Sequence, residues 1–374
     1  MSIISGEALA FKIRSDPSPK TVELPKPTGK HKVGTVVYHW IDKKREEPWT
    51  KAPADHRQLM VQIWYPGDDK GQGKKAPYIF DLEKIRSSIE KYWNGIPDVR
   101  HHATLDLPVS NAETKYPLLV FSHGMNSSRF LYTSICQELA SRGYVVAAID
   151  HTYWGPGVAF PDGTTVKFDD GMIARDKLTS DEIDKMMFEG IEVMSADQAF
   201  VAEKLAELNV SSAGFKNRFD LSKMGSIGHS MGGMAATASC LKYSAFKVCV
   251  SLDGANSSLH KMPEPSSKAH LLLLNSQWGR RTPALIRSSY QDAWRDPVVA
   301  IVVGTKHNFY SDIPLIEQPA DLEGLLEPAK AFGVISSYTV AFFDKHLKQK
   351  GNSMPSYPEM ELVDLKAHEG KTSK

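Results

Sequence analysis

Short apolar runs punctuate this chain at intervals that leave room for a helix between most of them. Pro117–Ser122, Tyr144–Asp150, Lys223–Gly228, Lys247–Leu252, His270–Asn275 and Val298–Val303 are each bounded by glycine, proline or charged residues and predict strands. They are continuous rather than alternating, as in a parallel sheet buried on both faces. Two earlier runs, Gly34–Trp40 and Leu59–Tyr65, predict further strands in a mixed first part. After Ser127-Ser128, the residues Leu131, Ile135 and Leu139 recur every four positions, and the pattern stops at Gly143. That spacing predicts a helix with a defined start, face and stop. Glu327–Gln349 predicts a last long helix with Ile335, Val340, Phe343 and Leu347 on its apolar side. The sum is an α/β fold, a mostly parallel eight-stranded sheet with helices on both faces.

Two stretches interrupt the alternation and are read as cap insertions over the carboxyl edge of the sheet, where substrates bind in open α/β folds. Residues 74–112 hold a predicted helix from Leu82 to Trp93. Residues 152–215 start as a glycine- and proline-rich loop and continue as a long helix around Asp181–Leu208. Met186, Met187, Phe188, Met194 and Phe200 on that helix fit packing against the body better than a lipid-binding stripe. The expected organisation is an extended arm over residues 1–30, one domain over 31–350 and a polar, proline-broken tail over 351–374.

Charge narrows the partners. Among 374 residues, 45 lysines and arginines nearly cancel 44 aspartates and glutamates, so no global field favours nucleic acid or an anionic membrane. Lys43-Lys44-Arg45 is followed at once by Glu46-Glu47 and reads as a solvated loop. Cys136, Cys240 and Cys249 all fall in apolar segments, the pattern of a reducing compartment without disulfides. The first twenty residues carry no secretory pattern, position 2 is Ser2, and no run approaches the roughly 18 apolar residues of a membrane span. A cytoplasmic protein with no transmembrane segment is expected.

The chemistry is concentrated in Gly228-His229-Ser230-Met231-Gly232, between the apolar Met224–Ile227 and the small residues Gly233–Ala236. This is the strand–turn–helix setting of a nucleophile elbow, with Gly228 and Gly232 where the turn is too tight for side chains. A serine needs a histidine base, an acid to hold it and donors for the oxyanion. With the order serine, acid, histidine of α/β hydrolases, the first acid at a later strand end is Asp253, before Gly254. The next strand ends in Asn275, and the last is followed by Gly304-Thr305-Lys306-His307. Asp253 competes with a role as a helix cap and His307 with that of a surface loop histidine. His229 reads as a packing and hydrogen-bonding residue beneath the elbow. Val120–Asn126 contains the His123-Gly124 pair, so Met125 N–H joins Met231 N–H as a candidate oxyanion donor, with His123 orienting the loop. No H-E-x-x-H, paired C-x-x-C, Walker lysine or dinucleotide fingerprint occurs, and the adjacent His101-His102 cannot clamp a metal well. No cofactor and no metal are expected.

Several segments together resemble the platelet-activating factor acetylhydrolase family of calcium-independent phospholipases A2, in its plasma and intracellular type II form. They are Gln62–Pro66, Leu119–Gly124, Leu139–Ala148, Ile227–Gly233, Ser251–Asp253, Leu274–Ser276 and Gly304–Phe309, in order over roughly residues 30 to 348. The resemblance implies an α/β-hydrolase fold, a triad of Ser230, Asp253 and His307, and oxyanion donors at Met125 and Met231. It also implies metal-free hydrolysis of short or oxidised acyl groups at the sn-2 position of phospholipids, a lipid ester substrate compatible with transient membrane-surface contact. Gly254-Ala255-Asn256 departs from the tryptophan-containing segment of the animal enzymes, which bears on the substrate rather than on the chemistry. The competing readings are a broad carboxylesterase on small esters or polyesters and a catalytically silent lipid-binding hydrolase fold.

Overall fold

Successive residues of the apolar runs feed two different cores, one on each face of a single sheet. The computed structural model describes residues 21–50, 52–90, 96–168, 179–254, 268–277, 293–351 and 353–363. The strands are β1 (Thr21–Glu23), β2 (Lys32–Glu46), β3 (His56–Gly67), β4 (Asp98–Arg100), β5 (Thr104–Leu105), β6 (Tyr116–Ser122) and β7 (Val145–Asp150). They continue as β8 (Val158–Ala159), β9 (Thr165–Val166), β10 (Phe219–His229), β11 (Phe246–Leu252), β12 (Ala269–Ser276), β13 (Trp294–Val302) and β14 (Met360–Leu362). The helices are α1 (Leu82–Ile89), α2 (Thr133–Ser141), α3 (Ser180–Ser211), α4 (Met231–Lys242), α5 (Ile313–Glu317) and α6 (Pro328–His346).

The main sheet has the order β14-β13-β12-β11-β10-β6-β7-β3-β2-β5. Neighbours from β13 through β7 pair in parallel, whereas β3, β2 and β14 bring antiparallel pairs. Leu119, Phe121, Val146, Ile227 and Val250 pack on one face with Ile135 and Leu139 of α2 and Phe343 of α6. Leu118, Val120, Val145, Cys249 and Leu271 pack on the other with α3 and α4. Burial on both faces is why these strands read as unbroken apolar runs. All eight predicted strands are present. Two short edge strands, β5 and β14, join them from segments with no apolar run, because backbone pairing to β2 and β13 can hold an edge strand without one.

Of the expected arm, residues 1–20 lie outside those described. β1 pairs with β4, and Thr28 gives both its amide and its hydroxyl to Glu138 of α2, at 2.7 and 2.5 Å. The predicted helix from Leu82 ends at Ile89, and residues 91–95 lie outside those described.

The range 152–215, expected as a second insertion, needs a correction of role. It contains α3, whose start is set by a capping box between Thr179 and Glu182. Ile191, Met194, Val201 and Leu205 of α3 are fully buried against β6 and α4. Most of this helix is therefore a covering layer of the sheet rather than a cap. The reason is topological: β7 and β10 both run parallel to β6, and a parallel return needs a crossover helix. Among the described residues, no helix is long and apolar enough to cross a membrane.

Candidate active site

The chain leaves β6 toward β7 on one side and returns to β10 on the other, so the strand order reverses between β6 and β10. In open α/β sheets ligands bind outside the carboxyl ends of the strands at such a reversal. Ser230 follows β10 directly, and His123–Met125 follow β6. Ser230 sits at φ 55° and ψ −123°, a region non-glycine residues rarely occupy, which turns the strand sharply into α4. The turn closes only because the flanks lack side chains. A Cβ on Gly228 would lie 2.2 Å from Gly232 O, and one on Gly232 would lie 2.2 Å from Ser122 O. The elbow is thereby pressed against the end of β6.

Three residues far apart in the chain meet here. His307, in a 3-10 turn (His307–Tyr310) after β13, places Nε2 2.9 Å from Ser230 Oγ and Nδ1 2.6 Å from Asp253 Oδ2. Asp253 follows β11 and is tied on its far side by Ser276, whose N–H donates to Oδ1 at 2.8 Å and whose hydroxyl donates to Oδ2 at 2.9 Å. Burial alone would raise the Asp253 carboxyl. The hydrogen bond and positive potential of His307, with the Ser276 amide, outweigh it and hold the group below the ordinary carboxylate range. An ionised Asp253 accepts only, so His307 Nδ1 carries the proton and Nε2 is bare to accept from Ser230. The serine, acid and histidine positions expected from the sequence are brought together, and Asp253 bonds to His307 rather than serving only as a helix cap.

The candidate oxyanion donors lie beside them. Met231 is the first residue of α4, so its amide belongs to the unsatisfied first turn of a helix, where negative charge is favoured. The loop carrying Met125 passes close to the serine: a Cβ on Gly124 would lie 3.1 Å from Ser230 Cβ.

His229 does the structural work expected of it. Its Nε2 lies 3.0 Å from the His307 carbonyl and its Nδ1 2.8 Å from Tyr132 Oη. The carbonyl can only accept, so the ring proton is on Nε2 and Tyr132 donates to Nδ1. Gly124 N–H then donates to Tyr132 Oη at 3.1 Å. One chain of bonds thus ties the histidine loop to the Gly124 loop beneath the elbow. Tyr132 and Ser276 were not singled out as site residues by sequence reading. Their neighbours were visible, but their roles depend on how β11, β12 and the turn before α2 are juxtaposed.

Burial drives these ring nitrogens toward neutrality. It pushes His229 well below the usual histidine range, and with the neighbouring His151 it takes His123 down to about 3. In the unfolded chain both bind a proton near pH 6.5. Unfolding therefore takes up protons below pH 6.5, and stability, greatest above that value, falls as the pH drops through the window toward 3. Urea unfolding between pH 7 and pH 5 is expected to show a free energy that declines with acidification at a slope of more than about one proton taken up. A flat profile would contradict neutral burial of these rings.

A family profile described as platelet-activating factor acetylhydrolase, isoform II, matches residues 17–154 and 185–364. This chain belongs to that family. Within it, the chain is similar to the platelet-activating factor acetylhydrolase of Cavia porcellus, 26% identical over 79% of this chain and 71% of that one. It is also similar to a probable 1-alkyl-2-acetylglycerophosphocholine esterase of Arthroderma benhamiae, 26% identical over 92% of this chain and 95% of that one. Among solved structures, a ferulic acid esterase from Streptomyces cinnamoneus superposes with a TM-score of 0.72 at 26% identity, covering 93% of this chain and 100% of the other. The fold is that of an α/β hydrolase, and this acetylhydrolase-family chain is grouped with carboxylic ester hydrolases. Its departure at Ala255-Asn256 lies outside the described residues.

Proposed function

We propose that this protein hydrolyses carboxylic esters through an acyl–Ser230 intermediate, and that its substrates are phospholipids with a short or oxidised sn-2 acyl group. The observation that carries the acyl-transfer reading is the hydrogen-bonded series Asp253–His307–Ser230 at the carboxyl ends of β10, β11 and β13, and membership of the acetylhydrolase family supports the phospholipid substrate. His307 Nε2 takes the serine proton as Oγ attacks the ester carbonyl. It returns that proton to the leaving alcohol, then activates water to release the acid. Asp253 holds the Nδ1–H tautomer and stabilises the imidazolium formed in each step. The Met125 and Met231 amides receive the developing oxyanion, each worth on the order of 3 kcal/mol to the transition state.

The superposition on a ferulic acid esterase supports a second reading, a carboxylesterase acting on simple esters. One matched panel separates the two: a short-chain sn-2 phospholipid, its long-chain analogue, and nitrophenyl esters from acetate to octanoate, with Ser230→Ala as the blank. The phospholipid reading expects kcat/KM for the short-chain phospholipid to exceed that for simple esters by several tens-fold. If simple esters win, the esterase reading replaces it.

A further inference from the structure

On the α3 side of the sheet lies a group of buried polar side chains that the acyl-transfer steps do not use. Arg57 of β3, Asp197 and Gln198 of α3, His151 after β7, Ser122 at the end of β6 and Ser226 of β10 are all buried. Their bonds run in one direction. Asp197 is gripped by Arg57, with Nη2 2.7 Å from Oδ2 and Nε 3.1 Å from Oδ1. Burial would raise this carboxyl, but the charge of Arg57 and the bond from His151 overcome that and hold it far below the usual range. As an anion it accepts only, so His151 Nδ1, 2.8 Å from Oδ2, must carry the ring proton. Burial keeps the His151 ring neutral, and its Nε2 is then bare. Ser122 therefore donates its hydroxyl to His151 Nε2 at 2.8 Å and accepts from Gln198 Nε2 at 2.7 Å. Gln198 in turn accepts from the Ser226 hydroxyl.

A second branch leaves the same histidine through its backbone. His151 N–H donates to His123 Nε2 at 3.0 Å, which places the His123 proton on Nδ1. His123 Nδ1 lies 2.6 Å from Gly124 O, and Ser127 N–H reaches the same carbonyl at 3.1 Å. No cis peptide bond occurs among the described residues. With its carbonyl held by two donors, the planar Gly124–Met125 peptide must present the Met125 N–H from the opposite edge. The orientation of that amide thus depends on the tautomer of His123 and on the placement of the His151 backbone.

We infer that the Asp197–His151 pair is the positioning device of the oxyanion loop: the carboxylate holds the His151 ring, the ring anchors Ser122, the backbone N–H of the residue so held anchors His123, and these fix the peptide that supplies Met125 N–H. The inference rests on the acyl-serine reading for its effect on rate. Both side chains are fully buried, so each acts through its neighbours. Asp197 lies on the crossover helix, so the layer covering the sheet also sets the geometry of the loop at its edge.

The variant to test is His151→Phe. It keeps the ring volume and leaves Asp197 paired with Arg57 and Arg45, so no buried charge is stranded. Hydrolysis by folded His151→Phe is expected to lose about tenfold to a hundredfold in kcat with KM within about twofold, below the hundred- to thousandfold ascribed to complete loss of one donor. Affinity for a trifluoromethyl ketone, which mimics the tetrahedral oxyanion, should fall in parallel with kcat. His151→Asn, which retains a donor toward Asp197, should recover part of the loss. A folded His151→Phe protein with unchanged kcat, or with ketone affinity that does not follow kcat, overturns the inference.

Histidine 15N spectra give a readout independent of turnover. The wild-type protein should show His123 and His151 as Nδ1–H tautomers; His151→Phe keeps the backbone N–H that sets the His123 tautomer, so His123 should stay Nδ1–H while its Nδ1 proton moves upfield as the bond to Gly124 O loosens. An unaltered His123 signal overturns the inference even if no ester is turned over. If wild-type and Ser230→Ala hydrolyse esters equally, the acyl-serine reading is what has failed, and the spectra still decide the positioning role. Should His151→Phe not fold, Ser122→Ala removes only the hydroxyl that ties β6 to His151 and carries the same two measurements.

Discussion

Ser230→Ala is expected to abolish ester hydrolysis, with a loss in kcat on the order of a million-fold, the scale seen when the nucleophile of such a unit is removed. The residual rate would come from the oxyanion donors and from substrate binding, which act without the nucleophile. The fold should be indifferent to the change. Ser230 N–H is held by Leu252 O at 2.9 Å and its carbonyl accepts from Gly233 and Met234, so the backbone carries the elbow. The lost side-chain bond is one to a part-exposed imidazole, with His307 about a quarter exposed. Thermal unfolding of the variant should therefore stay within a degree or two of wild type, by the modest net worth of one such bond. Hydrolysis that persists above about 1% of wild type with a folded variant would remove Ser230 from the mechanism.

The largest expected effect on stability is at Arg57. Its guanidinium is fully buried and bonded to Asp197, to Glu47 at 2.8 Å and to the Thr152 carbonyl at 2.9 Å. Arg57→Met fills much of the volume but strands two buried carboxyl groups, of which only Asp197 keeps a second cation, Arg45 at 2.9 Å. Breaking one side of a buried ion pair costs about 3–5 kcal/mol, whereas replacing both sides by apolar groups is often close to neutral. Arg57→Met should accordingly lose about 3–5 kcal/mol in urea unfolding, and Arg57→Met with Asp197→Leu should recover a large part of it. A double variant as unstable as the sum of its singles would mean that Arg57 acts through packing rather than charge.

How much of this was legible beforehand differs by element. The elbow was readable because its geometry demands small residues at fixed positions: Gly228 and Gly232 face backbone oxygens at distances no side chain survives. His307 and Asp253 were readable through chain order and strand ends, since a residue just past a buried strand must emerge at the sheet edge. The buried sheet was readable because strands covered on both faces have no polar side to interrupt them. The edge strands β5 and β14 were not, since backbone pairing leaves no mark on side-chain pattern. Nor was the place of α3, whose apolar residues are equally suited to a cap and to a covering layer; only the parallel return from β7 to β10 chose between them.

By itself, then, the sequence determined the local chemistry: which serine can be exposed on a tight turn, which strands are buried, and which acid and histidine follow strand ends. The tertiary structure alone decided the polar groups that support them. Ser276 reaches Asp253 from 23 residues away, Tyr132 reaches His229 from 97, and Arg57 reaches Asp197 from 140. Serine, tyrosine, arginine and aspartate are ordinary surface residues in a sequence. Whether one is instead buried and bonded depends on what the fold brings opposite it, because a polar side chain is stable in the interior only where a partner replaces the water it loses.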